Sequence, residues 1–299
     1  MFDSLKRGWG FFKQAVEMAQ KDRDLIKPSI YSLFANFAVG VVFAIPLVIA
    51  AFIFGGDDNP VGRGVLFVLG ALMLFAQYTV TYIFSGMTVY LIYGYLAEGD
   101  GQMDKAWAIV RRDLFDIMSL AAASAVVKIV ENALRGNRRR RNLIGEMVAN
   151  ILNTVWTTAT YFVLPAMIIE DLHLWDALKR ATHMIKNNLL LVGVGYVGVS
   201  FINGMLGGAV VFVAILIGAG IVFALSALGT AALIAGIVIA VALVIVVAAI
   251  VNVLTSYIGT AYHTCLFLWA REAEKAQQVG RSTESVLAPA PLAAVLAAH

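Results

Sequence analysis

From Leu189 to Ala270 the chain runs 82 positions without one Asp, Glu, Lys or Arg. About 20 apolar residues in a helix already cross a hydrocarbon layer about 30 Å thick, so this run holds at least two crossings. The rest of the chain agrees. Of 299 residues, 61% are hydrophobic and 14% are charged, where soluble domains carry about a quarter charged, and the mean hydropathy is +0.83. A soluble fold of this size has too little interior for so much apolar surface. The implied class is an all-α polytopic membrane protein, which excludes a soluble enzyme, a disulfide scaffold, a disordered chain and a repeat solenoid. The net charge of +3 is too small to suggest a nucleic-acid partner, and a single cysteine, Cys265, allows no intrachain disulfide. The N-terminus lacks the short apolar core and small-residue cleavage site of a signal peptide. The first span, near Ser29, is therefore expected to act as an uncleaved anchor.

Turn signals divide the chain into about six transmembrane helices, arranged as three hairpins. The expected spans are 29–54, 64–96, 114–134, 144–169, 189–225 and 229–270, within a single transmembrane domain over 1–279. The breaks are Gly55-Gly56-Asp57-Asp58-Asn59-Pro60, Glu98-Gly99-Asp100-Gly101, Arg135-Gly136-Asn137 and Glu170-Asp171, each rich in turn formers or charge. The second span would reach about 50 Å, more than the apolar layer needs, so it must tilt or project beyond the layer. In the long uncharged run a break near Leu225–Gly229 gives two long helices; four shorter spans, with turns at Asn203-Gly204 and near Asn252, are the alternative. The tail over 280–299, with Pro289, Pro291 and many alanines, is expected to be disordered.

An amphipathic interfacial helix precedes each hairpin. Phe2, Leu5, Trp9, Phe12 and Val16 recur at helical spacing in the first, with Lys6, Arg7 and Lys13 off that stripe. In the second, Met103, Ala106, Trp107, Val110 and Leu114 share a side; in the third, Leu174, Leu178, Ala181 and Ile185 do. Such stripes suit a helix lying in the interfacial plane. The units also share sequence. Leu5-Lys6-Arg7 with Lys13 matches Leu178-Lys179-Arg180 with Lys186, and Thr79-Val80-Thr81-Tyr82 matches Thr158-Ala159-Thr160-Tyr161, with Leu254-Thr255-Ser256-Tyr257 a weaker third copy. Their common order suggests internal duplication. With the N-terminus inside, fifteen basic residues fall on the inner side and six on the outer, which fits the positive-inside rule. Both termini are therefore expected to be cytoplasmic. The exception is Arg138 to Arg141 on an outer loop; a re-entrant hairpin or an oligomeric vestibule would accommodate it.

Polar residues inside the spans are the candidate functional groups. Gln77, Thr81, Ser85 and Thr88 recur at three or four on the second span, Asn150, Asn153, Thr157 and Tyr161 on the fourth, and Asn252, Ser256, Thr260 and His263 on the sixth. Polar groups in hydrocarbon need partners or water, so these stripes are expected to face inward as a polar seam. Lys128 and Glu131 are spaced to pair on one helix face. Arg138, Arg139, Arg140 and Arg141 can contact anionic lipid headgroups. The glycines of Gly193-Val194-Gly195-Tyr196-Val197-Gly198 mimic a dinucleotide loop but lack the flanking strand and the following acid; they and the Gly204/Gly208 pair read as close helix contacts. One Glu-x-x-His at Glu170–His173 is too little for a paired-metal site. No catalytic constellation, metal site or cofactor site is expected.

Lys21-Asp22-Arg23-Asp24-Leu25-Ile26-Lys27-Pro28 resembles the entry into the first span of an uncharacterised prokaryotic multi-pass membrane family. So do Trp156 to Pro165, Ile169-Glu170-Asp171 and Ala177 to Ala181. That family is similar in layout to the membrane domain of glycerophosphodiester phosphodiesterases. The resemblance covers roughly residues 1–190 and departs in the long apolar run. It implies a six-span fold in a prokaryotic cytoplasmic membrane and carries over no activity and no site residue. The expectation is an integral membrane protein without enzymatic activity, an oligomeric pore or transport component using the inward stripes. The alternative is a membrane-organising or accessory subunit whose amphipathic helices bind lipid headgroups or a protein partner. The expected partners are the bilayer and either further copies of the chain or another membrane protein.

Overall fold

The computed structural model describes residues 2–54, 59–135, 143–187, 189–281 and 286–296, and every regular element among them is helical. In order these are α1 (Phe2–Lys21), a 3-10 turn (Arg23–Leu25), α2 (Lys27–Phe54), α3 (Pro60–Glu98), α4 (Met103–Arg112), α5 (Leu114–Arg135), α6 (Leu143–Glu170), α7 (Leu174–Asn187), α8 (Leu189–Ser226), α9 (Thr230–Gln278) and α10 (Ala290–Leu296). Among the described residues, five stretches are long and apolar enough to cross a membrane: Arg23–Phe54, Pro60–Glu98, Ile144–Glu170, Gly207–Ser226 and Thr230–Gln278. Helix α5, the expected third span, is not among them; it carries Asp116, Lys128, Glu131 and Arg135. The expected single domain over 1–279 comprises two compact units, Ile30–Asn188 and Met1–Ser29 with Leu189–His299.

In the unit Ile30–Asn188, α3 starts cleanly because Asn59 caps it, its Oδ1 accepting from the Val61 amide, and Pro60 fills the first turn where no amide partner is needed. It ends at Gly99, whose φ of 81° is left-handed and whose N–H bonds the Tyr95 carbonyl. Its 39 residues span about 58 Å, and the two ends differ. Val61, Phe67, Val68 and Leu72 are exposed, whereas Gly86 to Val89, Leu91 and Ile92 are buried. Helix α6 repeats this division. Ile144, Met147, Ile151 and Val155 form an exposed apolar stripe, and Phe162 to Ile168 are buried on all sides. The amphipathic α4 packs on α3, and α7 on α6. A Cβ at Gly86 would lie 3.3 Å from Ile168 Cδ1 of α6 and 3.4 Å from Val110 Cγ2 of α4, so glycine lets these three helices converge closely. Helix α2 touches α3 through Asn36, whose Nδ2 donates to Thr81 Oγ1, and through Tyr31 beside Phe84.

In the other unit, α8 and α9 run antiparallel. Gly207 faces Val251, Gly218 faces Ala240, and Gly236 faces Leu225. Between Ser226 and Thr230 the chain reverses at Gly229, whose φ of 104° excludes ordinary side chains. The reversal lies at the expected break, and α8 and α9 are each continuous. The close contacts fall at Gly207 and Gly218, while Gly204 and Gly208 have open space. Helix α9 is also divided: Ile234 to Ile250 present exposed apolar residues, and Tyr257, Ile258 and Ala261 to Ala270 are buried. There α1 covers it. Phe11 meets the Tyr262 ring edge-on at 5.3 Å, and the Tyr257 hydroxyl donates to the Ala15 carbonyl. The tail beyond Gly280, expected to be disordered, carries α10, which packs on α1 with Leu292 fully buried.

Gly86→Val is expected to lower stability by about 1–3 kcal/mol through overpacking. Gly70→Val, at a position with nothing within 4 Å, should leave it nearly unchanged. Thermal unfolding of the detergent-solubilised protein measures both.

Candidate functional site

Each amphipathic helix uses one face for the fold and leaves a tryptophan outside it. In α1 the buried residues are Phe11, Ala15 and Met18, one step round from the expected stripe, so Trp9 and Phe12 stack together on the outside at 5.3 Å. In α4, Ala106 and Val110 are buried and Trp107 is exposed, with the Arg111 guanidinium 4.7 Å above its ring, a cation–π contact. In α7, Ala177, Ala181 and Met184 are buried and Trp175 is 71% exposed. In all three helices the residue four positions after the tryptophan is basic: Lys13, Arg111 and Lys179. That spacing puts indole and cation side by side on a helix. Along α7, Trp175, Leu178, Lys179, Thr182, His183 and Lys186 line an open groove of about 490 Å³.

The junctions before α5 and before α7 are latched together. Asp113 joins α4 directly to α5 and is gripped by Arg112 at 2.7 and 3.0 Å. Arg112 also reaches Asp171 at 2.6 Å. Asp171 ends α6 with a φ of 55°, a left-handed conformation that aspartate tolerates better than most residues. Asp116 accepts from the Leu174 amide at 3.1 Å and pairs with His173 Nδ1 at 2.9 Å, capping α7. Arg180 returns from α7 to Glu170 at 2.9 Å. The two ends of the Glu-x-x-His spacing thus go to different partners. Together these pairs set where α4 and α7 leave the bundle.

A polar line continues along α5. Ser124, almost fully buried, bonds the Tyr82 hydroxyl of α3 at 2.7 Å and accepts from the Trp156 indole of α6 at 3.0 Å. Further on, Glu131 has a side chain only 1% exposed, flanked by Lys128 at 3.0 Å and Arg135 at 2.7 Å. Arg135 also donates to Asn150 Oδ1 of α6 at 2.9 Å. The expected Lys128–Glu131 pair is therefore half of a larger cluster. From Asp116 to Arg135 the line runs about 28 Å, close to the thickness of a hydrocarbon layer.

The other seam residues are spread out. Gln77, Thr81 and Ser85 are half-buried on α3. Asn153 is exposed, with Thr157 Oγ1 3.4 Å from its Oδ1, and Tyr161 is half-buried on α6. Asn252 and Ser256 are exposed on α9, while His263 is buried with its ring edge-on to Tyr262. Arg138, Arg139, Arg140 and Arg141 lie outside the described residues. Ser124, Asp116 and Arg135 were not visible as site residues, because their partners lie on other helices. The tryptophan-to-cation spacing could have been read from the sequence.

A family model described as "Family of unknown function (DUF6159)" matches residues 60–276. No curated protein matches the chain.

The latch makes a pH prediction. The Asp116 hydrogen bond and charge, with smaller help from Asp171 and Asp176, hold the His173 imidazole above its ordinary value. The fold favours the protonated ring, so this contribution is complete below the pKa of the unfolded chain and is lost as pH rises through the folded one. Histidine NMR titration should show His173 above about 6.5, and Asp116→Asn should bring it back toward that value.

Proposed function

The chain belongs to this family of unknown function, and we propose that it is a non-enzymatic integral membrane protein that organises one membrane face through its amphipathic helices. The observation that carries this reading is the tryptophan left outside the packed face of α1, α4 and α7, each with a cation four residues on. Indoles favour the headgroup region and cations favour anionic lipid. The long helices supply the anchor. Phe34, Phe37, Val42, Ile45, Phe52, Ile53, Phe67, Phe212, Phe223 and Ile245 are each at least 59% exposed. In water ten such side chains would forfeit about 15–30 kcal/mol, more than the roughly 5–15 kcal/mol net stability of a whole domain. Acyl chains remove that penalty. In this reading α5 is a sixth, inner span, its buried Glu131 neutralised by Lys128 and Arg135, and the chain forms three hairpins related by duplication. The packing of α4 on the buried end of α3, and of α7 on that of α6, supports the duplication. The balance of basic residues favours both termini on the inner side.

A second reading rests on Asn153, Asn252 and Ser256, which lie exposed on helices that are apolar elsewhere. Polar groups facing hydrocarbon need partners, which further copies of the chain would provide, and the α5 line would then border a transport path.

Full-length variants keeping one of the five tryptophans distinguish depth. Trp9, Trp107 and Trp175 should each be quenched more by lipids brominated near the headgroup than by lipids brominated near the chain ends. Indifference to both lipids would contradict the first reading. The second predicts ion or solute flux in proteoliposomes, altered by Glu131→Gln; absence of flux across a broad panel would refute it.

A further inference from the structure

We propose that the exposed face of α7 is a binding site for the phosphate of an anionic phospholipid headgroup. The proposal rests on the interfacial reading above and names the ligand for one of the three helices. Trp175, Lys179, His183 and Lys186 follow one another at spacings of four, four and three, so they share a narrow arc of the helix. The opposite arc, Ala177, Ala181 and Met184, is buried against the bundle, and Arg180 is tied to Glu170. The groove face is therefore held outward and its orientation is set. Among the described residues Lys186 has no ion-pair partner, and Lys179 pairs only with the exposed Asp176 at 3.1 Å, a contact weak enough for a phosphate to replace.

The lining favours an amphiphile over a hydrated anion. Leu178 and Trp175 bring apolar surface to the same groove that Lys179 and Lys186 line. Lysine serves phosphate as a point charge while its stem lies along apolar surface. The three helices differ in the cations they can offer. On α4 the Arg111 guanidinium already sits over Trp107, and on α1 Lys13 is the one base after Trp9 before Lys21. On α1 Lys6 and Lys13 also fall on the tryptophan side; on α7 two lysines line one groove together with Trp175.

The test uses the full-length protein with Trp175 as its only tryptophan, in phosphatidylcholine vesicles. A small fraction of brominated lipid is added, either phosphatidylglycerol or phosphatidylcholine. Brominated phosphatidylglycerol should quench Trp175 more strongly, with a relative affinity of about fivefold, the size expected of a lysine near an anionic surface. The double variant Lys179→Gln/Lys186→Gln should lose the preference while quenching by brominated phosphatidylcholine stays the same. Lys179→Arg/Lys186→Arg should retain it. Equal quenching by both lipids in the unmodified groove overturns the headgroup site and leaves the interfacial reading standing; quenching by neither overturns the interfacial reading itself. Excess inorganic phosphate should leave the preference intact. If phosphate abolished it, the groove would be a soluble-anion site and the lipid assignment would be wrong.

Discussion

Each square ångström of apolar surface left in water costs about 25 cal/mol, and α2, α3, α8 and α9 leave much of theirs uncovered by the protein. Helices α3, α6 and α9 do not do so along their whole length. From Gly86 on α3, Phe162 on α6 and Tyr257 on α9, the chain buries apolar residues against its own amphipathic helices. Each of these helices thus has a half that needs an apolar solvent and a half that carries its own cover. The amphipathic helices serve as that cover. Small residues on their inner faces, Ala15, Ala106 and Ala177 with Ala181, allow close approach, and the tryptophans fall where cover gives way to surroundings.

The polar groups follow the same division. Where α5 runs among α3 and α6, Ser124 and Glu131 are buried and partnered on both sides. A buried carboxylate between two cations gives weak net stability, and removing one partner is far costlier than forming the set. Its effect is registry, because Arg135 spans from Glu131 to Asn150 and ties α5 to α6. At the other end the aspartates and arginines of the latch do the same for α4 and α7. The exposed Trp175 groove is thereby presented by a helix fixed at its start by Asp116 and within its length by Arg180.

Local chemistry made much of this legible in the sequence. Gly99 and Gly229 mark reversals because their positive φ excludes side chains, whereas Asn59-Pro60, which reads as the end of a turn, caps and opens α3 four residues before the expected span. The excess length of the second span was visible, and the buried end of α3 accounts for it. Periodicity marks the α1 stripe through Trp9 and Phe12 as the interfacial face but gives no sign of the face one step round, where Phe11 and Ala15 meet Tyr262 and Tyr257 of α9. The cross-helix roles of Asp116, Ser124 and Arg135 are invisible in the sequence, because a hydrogen bond between residues 15 to 58 positions apart has no periodic signature. Helix α10 was missed because seven alanine-rich residues are too few to be stable alone; packing on α1 supplies what propensity lacks.

Single helices pass from an apolar solvent into a self-covered cap. Spin labels placed one at a time along α3, in the full-length protein reconstituted in bilayers, test it most directly. Collision with dissolved oxygen should dominate at outward positions such as Val61, Phe67, Val68 and Leu72. Both oxygen and a water-soluble nickel chelate should be excluded from Met87 to Ile92, and the chelate should take over by Glu98. Chelate access all along the Val61–Leu72 flank, or oxygen access continuing unchanged through Ile92, would contradict the account.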